Sequence, residues 1–125
     1  MPAVFVHGVP DTSRVWRAVV ARLPRPDVVT LSLPGFGRPT PDGFDASKEA
    51  YVRWLLDELA AQPGPIDVVG HDWGALLVVR AVSLAPDRVR SRAVGGAPLA
   101  ERPDAVAAEL DRFWAHIRPG EPRDA

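Results

Sequence analysis

Residues 66–74, IDVVGHDWG, constrain this chain more than any other stretch. Ile66-Asp67-Val68-Val69 is short, β-branched and apolar, the composition of a buried strand. Gly70-His71-Asp72-Trp73-Gly74 follows at once, and residues 75–82, ALLVVRAV, continue as a helix. A strand that runs straight into a helix through Gly-x-Asp-x-Gly must turn sharply at its middle residue. Gly70 and Gly74 remove side chains where strand and helix crowd together, so Asp72 is the residue put on display.

Strands and helices alternate on either side of this turn. Ala3-Val4-Phe5-Val6 reads as a buried strand that ends in the loop His7-Gly8-Val9-Pro10. Asp11, Thr12 and Ser13 are candidate N-caps for a helix with Val15, Trp16, Val19, Val20 and Leu23 on its apolar face, stopped by Pro24. Val28-Val29-Thr30-Leu31-Ser32-Leu33 is a second strand, closed by Pro34-Gly35-Phe36-Gly37. The next helix is expected from Asp45 or Ser47 to about Ala61, with Tyr51, Val52, Leu55, Leu56 and Leu59 facing inward.

After the central turn and its helix, Ser91-Arg92-Ala93-Val94-Gly95-Gly96 is a weaker fourth strand. Pro103 suits a first helical turn, and Val106, Leu110, Phe113 and Ile117 then form an amphipathic stripe. Residues 119–125 read as a charged tail without structure. The alternation implies about four parallel strands with right-handed crossovers and flanking helices, a three-layer α/β sandwich. Ligands bind beyond the carboxyl ends of such strands. The loops His7-Gly8-Val9-Pro10 and Pro34-Gly35-Phe36-Gly37 and the turn at Asp72 should therefore meet at one site.

Composition narrows the function. A chain of 125 residues is one domain at most, and 15 Lys+Arg against 16 Asp+Glu argue against nucleic-acid or anionic-membrane partners. There is no cysteine, and His7, His71 and His116 have no metal-ligand spacing, so neither a metal nor a cofactor is expected. The start lacks a signal-peptide pattern and the most apolar helix is interrupted by Arg80, so a soluble cytoplasmic protein is the expectation.

An aspartate on the turn sets the chemistry. A carboxylate with an ordinary pKa near about 3.9 is already ionised at neutral pH, and the N-terminus of the following helix favours its charge. Carboxylates attack amides feebly, but they displace leaving groups from saturated carbon and form an ester. Hydrolysis of that ester needs an activated water and donors for the oxyanion. The backbone N–H of Trp73 and one from the loop after the first strand, that of Val9, are the candidates.

His7-Gly8-Val9-Pro10 with Trp16 downstream, followed by Gly70-His71-Asp72-Trp73-Gly74-Ala75, resembles the α/β-hydrolase family in its epoxide-hydrolase and haloalkane-dehalogenase branch. The resemblance runs to about Pro98 and corresponds to the middle of that fold. It implies Asp72 as nucleophile, Val9 and Trp73 as oxyanion donors, and Trp73 and Pro10 against an apolar small-molecule substrate. It also admits a cis Val9–Pro10 peptide. Val9 stands where dehalogenases of this type commonly carry a second, polar halide donor, which turns the expectation towards epoxide opening.

Other family parts have no counterpart. The only tyrosine, Tyr51, falls in a core helix rather than a cap. The family's base is a histidine after the last strand; the only late one here is His116, with Glu101 as the corresponding acid candidate. The chain is thus expected to be a fragment or much shortened relative. Residues 1–118 would form a partial core, and residues 103–118 would begin a missing cap.

Plainer roles are the alternative at several positions. Asp72 could simply cap the next helix, His7 and His71 could hold loop backbone, and Trp16 and Trp54 read as packing residues. Asp11 reads as a cap, and Arg38 and Asp42 as surface charge. The rival to an enzyme is a truncated, catalytically inactive binding or interaction module of the same fold. Its unpaired sheet edges would favour self-association.

Overall fold

The computed structural model describes residues 2–96, 99 and 101–117, and the backbone of residues 123 and 124. Strands β1 (Ala3–Val6), β2 (Val28–Leu31), β3 (Ile66–His71) and β4 (Val89–Gly95) lie parallel in one sheet, with a two-residue β5 (Arg123–Asp124) beside β4. The order is β2-β1-β3-β4-β5. Helices α1 (Arg17–Val20), α2 (Lys48–Ala60), α3 (Trp73–Leu84) and α4 (Pro103–Ala115) cover its faces. Among the described residues no helix is long and apolar enough to cross a membrane.

The side-chain alternation of β1 sorts the core into two layers. Val4 and Val6 point to the face covered by α2 and α3, where they meet Leu55, Leu59, Leu77 and Val78. Ala3 and Phe5 point the other way, towards Trp16, Val19, Ala107 and Leu110 of the α1–α4 side. Trp16 and Trp54 are both buried, as the packing reading expects. Ser47 caps α2 by accepting from the Ala50 N–H. Of the three candidate caps before the first helix, Thr12 is used, accepting from the Arg14 N–H.

Three expectations are corrected. The first helix is split: residues Ser13–Trp16 form a 3₁₀ turn and only Arg17–Val20 are α-helical. This short element leaves much of its sheet face open, and the apolar stripe of α4 covers it. That placement breaks the right-handed rule. The β3–α3–β4 and β4–α4–β5 connections step the same way across the sheet, yet α3 and α4 lie on opposite faces. The two connections therefore have opposite hands. The third correction concerns the tail, which lies outside the described residues except for Arg123 and Asp124. Their backbones pair with Ser91 and Arg92, using the open edge of β4.

At the amino end of the sheet, a charge network fixes α4 in place. Asp67, fully buried on β3, accepts from Arg25, Arg90 and the Ser91 hydroxyl at 3.0, 2.9 and 2.5 Å. A register shift lets Arg90 join in: Ile66 pairs with Val89 but Asp67 with Ser91, so Arg90 is the extra residue of a bulge. Trp114 of α4 donates its indole N–H to Ser91, and Arg25 stacks over the Trp114 ring at 4.4 Å.

Candidate active site

The sharp turn expected at residues 70–74 is present. β3 stops at His71, α3 starts at Trp73, and Asp72 between them has φ 56° and ψ −121°. A non-glycine residue in that conformation costs about 1–3 kcal/mol, held by the structure around it. Its neighbours explain how. The Asp72 N–H donates to the Gly95 carbonyl of β4 at 2.9 Å, and its carbonyl accepts from Ala75 at 3.0 Å. A Cβ on Gly74 would stand 2.4 Å from the Val6 and His7 carbonyl oxygens, and one on Gly70 2.8 Å from the Ala75 Cα. Strand end, helix start and the β1 loop come together only because both positions are bare.

The Asp72 side chain is exposed and makes no capping hydrogen bond to α3, so it is not spent as a helix cap. It lies against the β1 loop. A Cβ on Gly8 would fall 2.7 Å from the Asp72 Cβ and 2.8 Å from its Oδ2. Gly8, which reads in the sequence only as a flexible loop residue, is thus the floor beneath the carboxylate. The Val9–Pro10 peptide is cis. Among the described residues, neither the Val9 nor the Trp73 N–H donates to another group of the chain.

His7 serves the loop rather than the reaction. It is fully buried, its Nε2 accepts from the Leu33 N–H at 2.9 Å, and its Nδ1 therefore carries the proton given to the Gly8 carbonyl at 2.7 Å. Burial holds its pKa below the ordinary value of 6.5, outweighing the Gly8 bond and the charge of Asp11, which raise it. The third loop joins through Tyr51, whose hydroxyl donates to the Pro34 carbonyl at 2.8 Å. Burial pushes its phenol pKa up, so it stays a donor. The Tyr51 ring meets Trp73 edge-on at 5.3 Å and Phe44 at 4.8 Å. All three strand-end loops thus converge around Asp72, and Tyr51, which the sequence marks only as a core position, links two of them.

Neither of the two late acid–base candidates bonds to Asp72 among the described residues. His116 follows α4, exposed, with Nδ1 on the Arg112 carbonyl at 2.7 Å, and Glu101 is exposed just before that helix. Among the described residues no side chain hydrogen-bonds to the Asp72 carboxylate. Nor does any group of three or more His, Cys, Asp or Glu side chains gather where it could hold a metal ion. The His71 ring lies edge-on to Trp16 at 6.0 Å. A cavity of about 710 Å³ opens on that side, between α4 and the carboxyl ends of β3 and β4. Asp72, Val9, Pro10 and Trp73 are not among its walls.

Comparison with known proteins gives the same frame. The chain is similar to the lipase LipV of Mycobacterium tuberculosis, 30% identical over 94% of this chain and 46% of the relative. It is similar to an epoxide hydrolase of Caballeronia sordidicola, 33% identical over 72% of this chain and 29% of the relative. Among solved structures, a mutant haloalkane dehalogenase DatA from Agrobacterium tumefaciens superposes with a TM-score of 0.67 at 30% identity, covering 74% of this chain and 33% of that one. The chain spans between 29% and 46% of the length of the curated relatives it matches. A family model described as the alpha/beta hydrolase family matches residues 3–125. With the parallel sheet, the strand-to-helix turn and that match in agreement, the chain belongs to the alpha/beta hydrolase family.

Proposed function

We propose that Asp72 is a carboxylate nucleophile that opens epoxides, or displaces halide, in the manner of an epoxide hydrolase. The observation that carries this reading is the backbone of Asp72, a non-glycine residue held at φ 56° with its carboxylate uncapped and accessible. Strain of this kind persists where it presents a reactive group. An Asp72 oxygen attacks a ring carbon of the epoxide, that carbon's bond to the ring oxygen breaks, and the ring oxygen takes a proton from water. The product is a hydroxyalkyl ester on Asp72. The N–H groups of Val9 and Trp73, unbonded among the described residues, are the donors available to the oxyanion when water attacks the ester carbonyl. Trp73 and Pro10 border the turn and are assigned to an apolar substrate.

The similarity to an epoxide hydrolase and a haloalkane dehalogenase supports the aspartate reading, although a lipase is among the relatives too. With no described histidine on Asp72, the ester is expected to form and persist. Intact-mass measurement after incubation with styrene oxide should show one adduct, absent in Asp72→Asn. An adduct of equal yield in that variant would refute the assignment. A second reading, an inactive module that self-associates through the sheet edges, draws on the same lack of a partnered base. No adduct, together with a dimer in sedimentation, would favour it.

A further inference from the structure

The cavity beside α4 has a chemistry of its own. Its inner wall is the carboxyl half of β3 and β4 with the Trp16 ring, and its outer wall is the apolar stripe of α4, including Val106, Leu110 and Phe113. At about 710 Å³ it falls within the 300–1,000 Å³ range of small-molecule pockets, and apolar walls with few polar groups are their usual make-up. The polar groups are unbalanced. Arg102 and Arg112 face one carboxylate, Glu109, which Arg112 engages at 2.6 Å. Among the described residues Arg102 makes no ion pair, so one positive charge remains at the rim.

We infer that this cavity is a second binding site, separate from Asp72, for an amphiphile with an apolar tail and a single carboxylate. The tail lies between α4 and the sheet, and the head group meets the Arg102 guanidinium at the rim. The tail gains from leaving water; the charge selects the head group. The site does not depend on Asp72 being a nucleophile, since its walls contain no part of the turn beyond Gly70 and His71.

Decanoate and 1-decanol, each below its aggregation limit, are the probes, titrated by calorimetry against the full chain. Decanoate should bind about tenfold more tightly than decanol, and Arg102→Ala should erase that difference while leaving decanol unchanged. Ala93→Leu and Val106→Trp narrow the cavity and should weaken both ligands at least tenfold. If either variant fails to fold, nuclear Overhauser contacts from the decanoate chain to the Trp16 and Phe113 rings of the unaltered protein decide the location. Asp72→Asn should bind decanoate as the parent does. Equal affinity for the two probes, a preference that survives Arg102→Ala, no contact with Trp16 and Phe113, or loss of binding in Asp72→Asn would each overturn the inference.

Discussion

Strand β3 carries one aspartate at each end, and the two live in opposite circumstances. Asp67 is fully buried and accepts from Arg25, Arg90 and Ser91; Asp72, five residues on, is exposed on a strained backbone, its carboxylate without a hydrogen bond among the described residues. The first carboxylate is surrounded by donors and holds the α4 side of the molecule together. The second, among the described residues, has no donor and does not cap its own helix. One end of the strand is fixed by charge pairing; the other is kept in place by bare glycines and main-chain bonds, so its side chain stays available.

Substitution should break this contrast most sharply at Asp67. Asp67→Ala leaves the Arg90 guanidinium and the Ser91 hydroxyl without their acceptor and Arg25 with Asp27 alone, and is expected to cost about 3–5 kcal/mol in denaturant unfolding. Asp72→Asn should change stability by no more than about 0.5 kcal/mol in the same measurement, because its carboxylate bonds to nothing described. Equal costs at the two positions would remove the distinction between them.

Gly74→Ala tests the packing that holds the turn. A methyl group 2.4 Å from two carbonyl oxygens forces strand and helix apart, at about 1–3 kcal/mol, with loss of any Asp72 adduct. Asp72→Gly should work the other way, relieving the positive φ and raising stability by about 1 kcal/mol while abolishing the adduct. A residue whose removal stabilises the fold is one kept for another purpose.

The smallest expected effect is on pH dependence, at the Asp72 end of the sheet. Folded His7 takes its proton at lower pH than the unfolded chain does. Below about pH 6.5 the unfolded state therefore binds more protons, and stability falls as the pH drops from there towards the lowered value. Above pH 6.5 the contribution is complete. In His7→Asn, the dependence of the unfolding midpoint between pH 7 and 5 should flatten relative to the parent.

The turn at Asp72 was legible because its signal is local. Two glycines around a polar residue, between an apolar strand and an apolar helix, admit few backbone paths. The same holds for Ser47 as a cap, for the stripe of α4 and for the alternating order of elements. What remained hidden arises between residues far apart in sequence. Asp67 reads as one polar letter in an apolar strand, and its role depends on a bulge at Arg90 and on Arg25, 42 residues away. Gly8 gives no sign of lying under the Asp72 side chain, nor Tyr51 of joining Pro34 to Trp73.

By itself, then, the sequence determined which residue stands on the turn and which strand ends carry loops, since steric crowding and side-chain periodicity act over a few positions. Only the tertiary structure decided what each aspartate does, which face α4 covers and where a cavity opens. Those outcomes depend on which distant surfaces meet. The short α1 left a sheet face bare, and the burial of α4 there overrode the usual hand of the crossover.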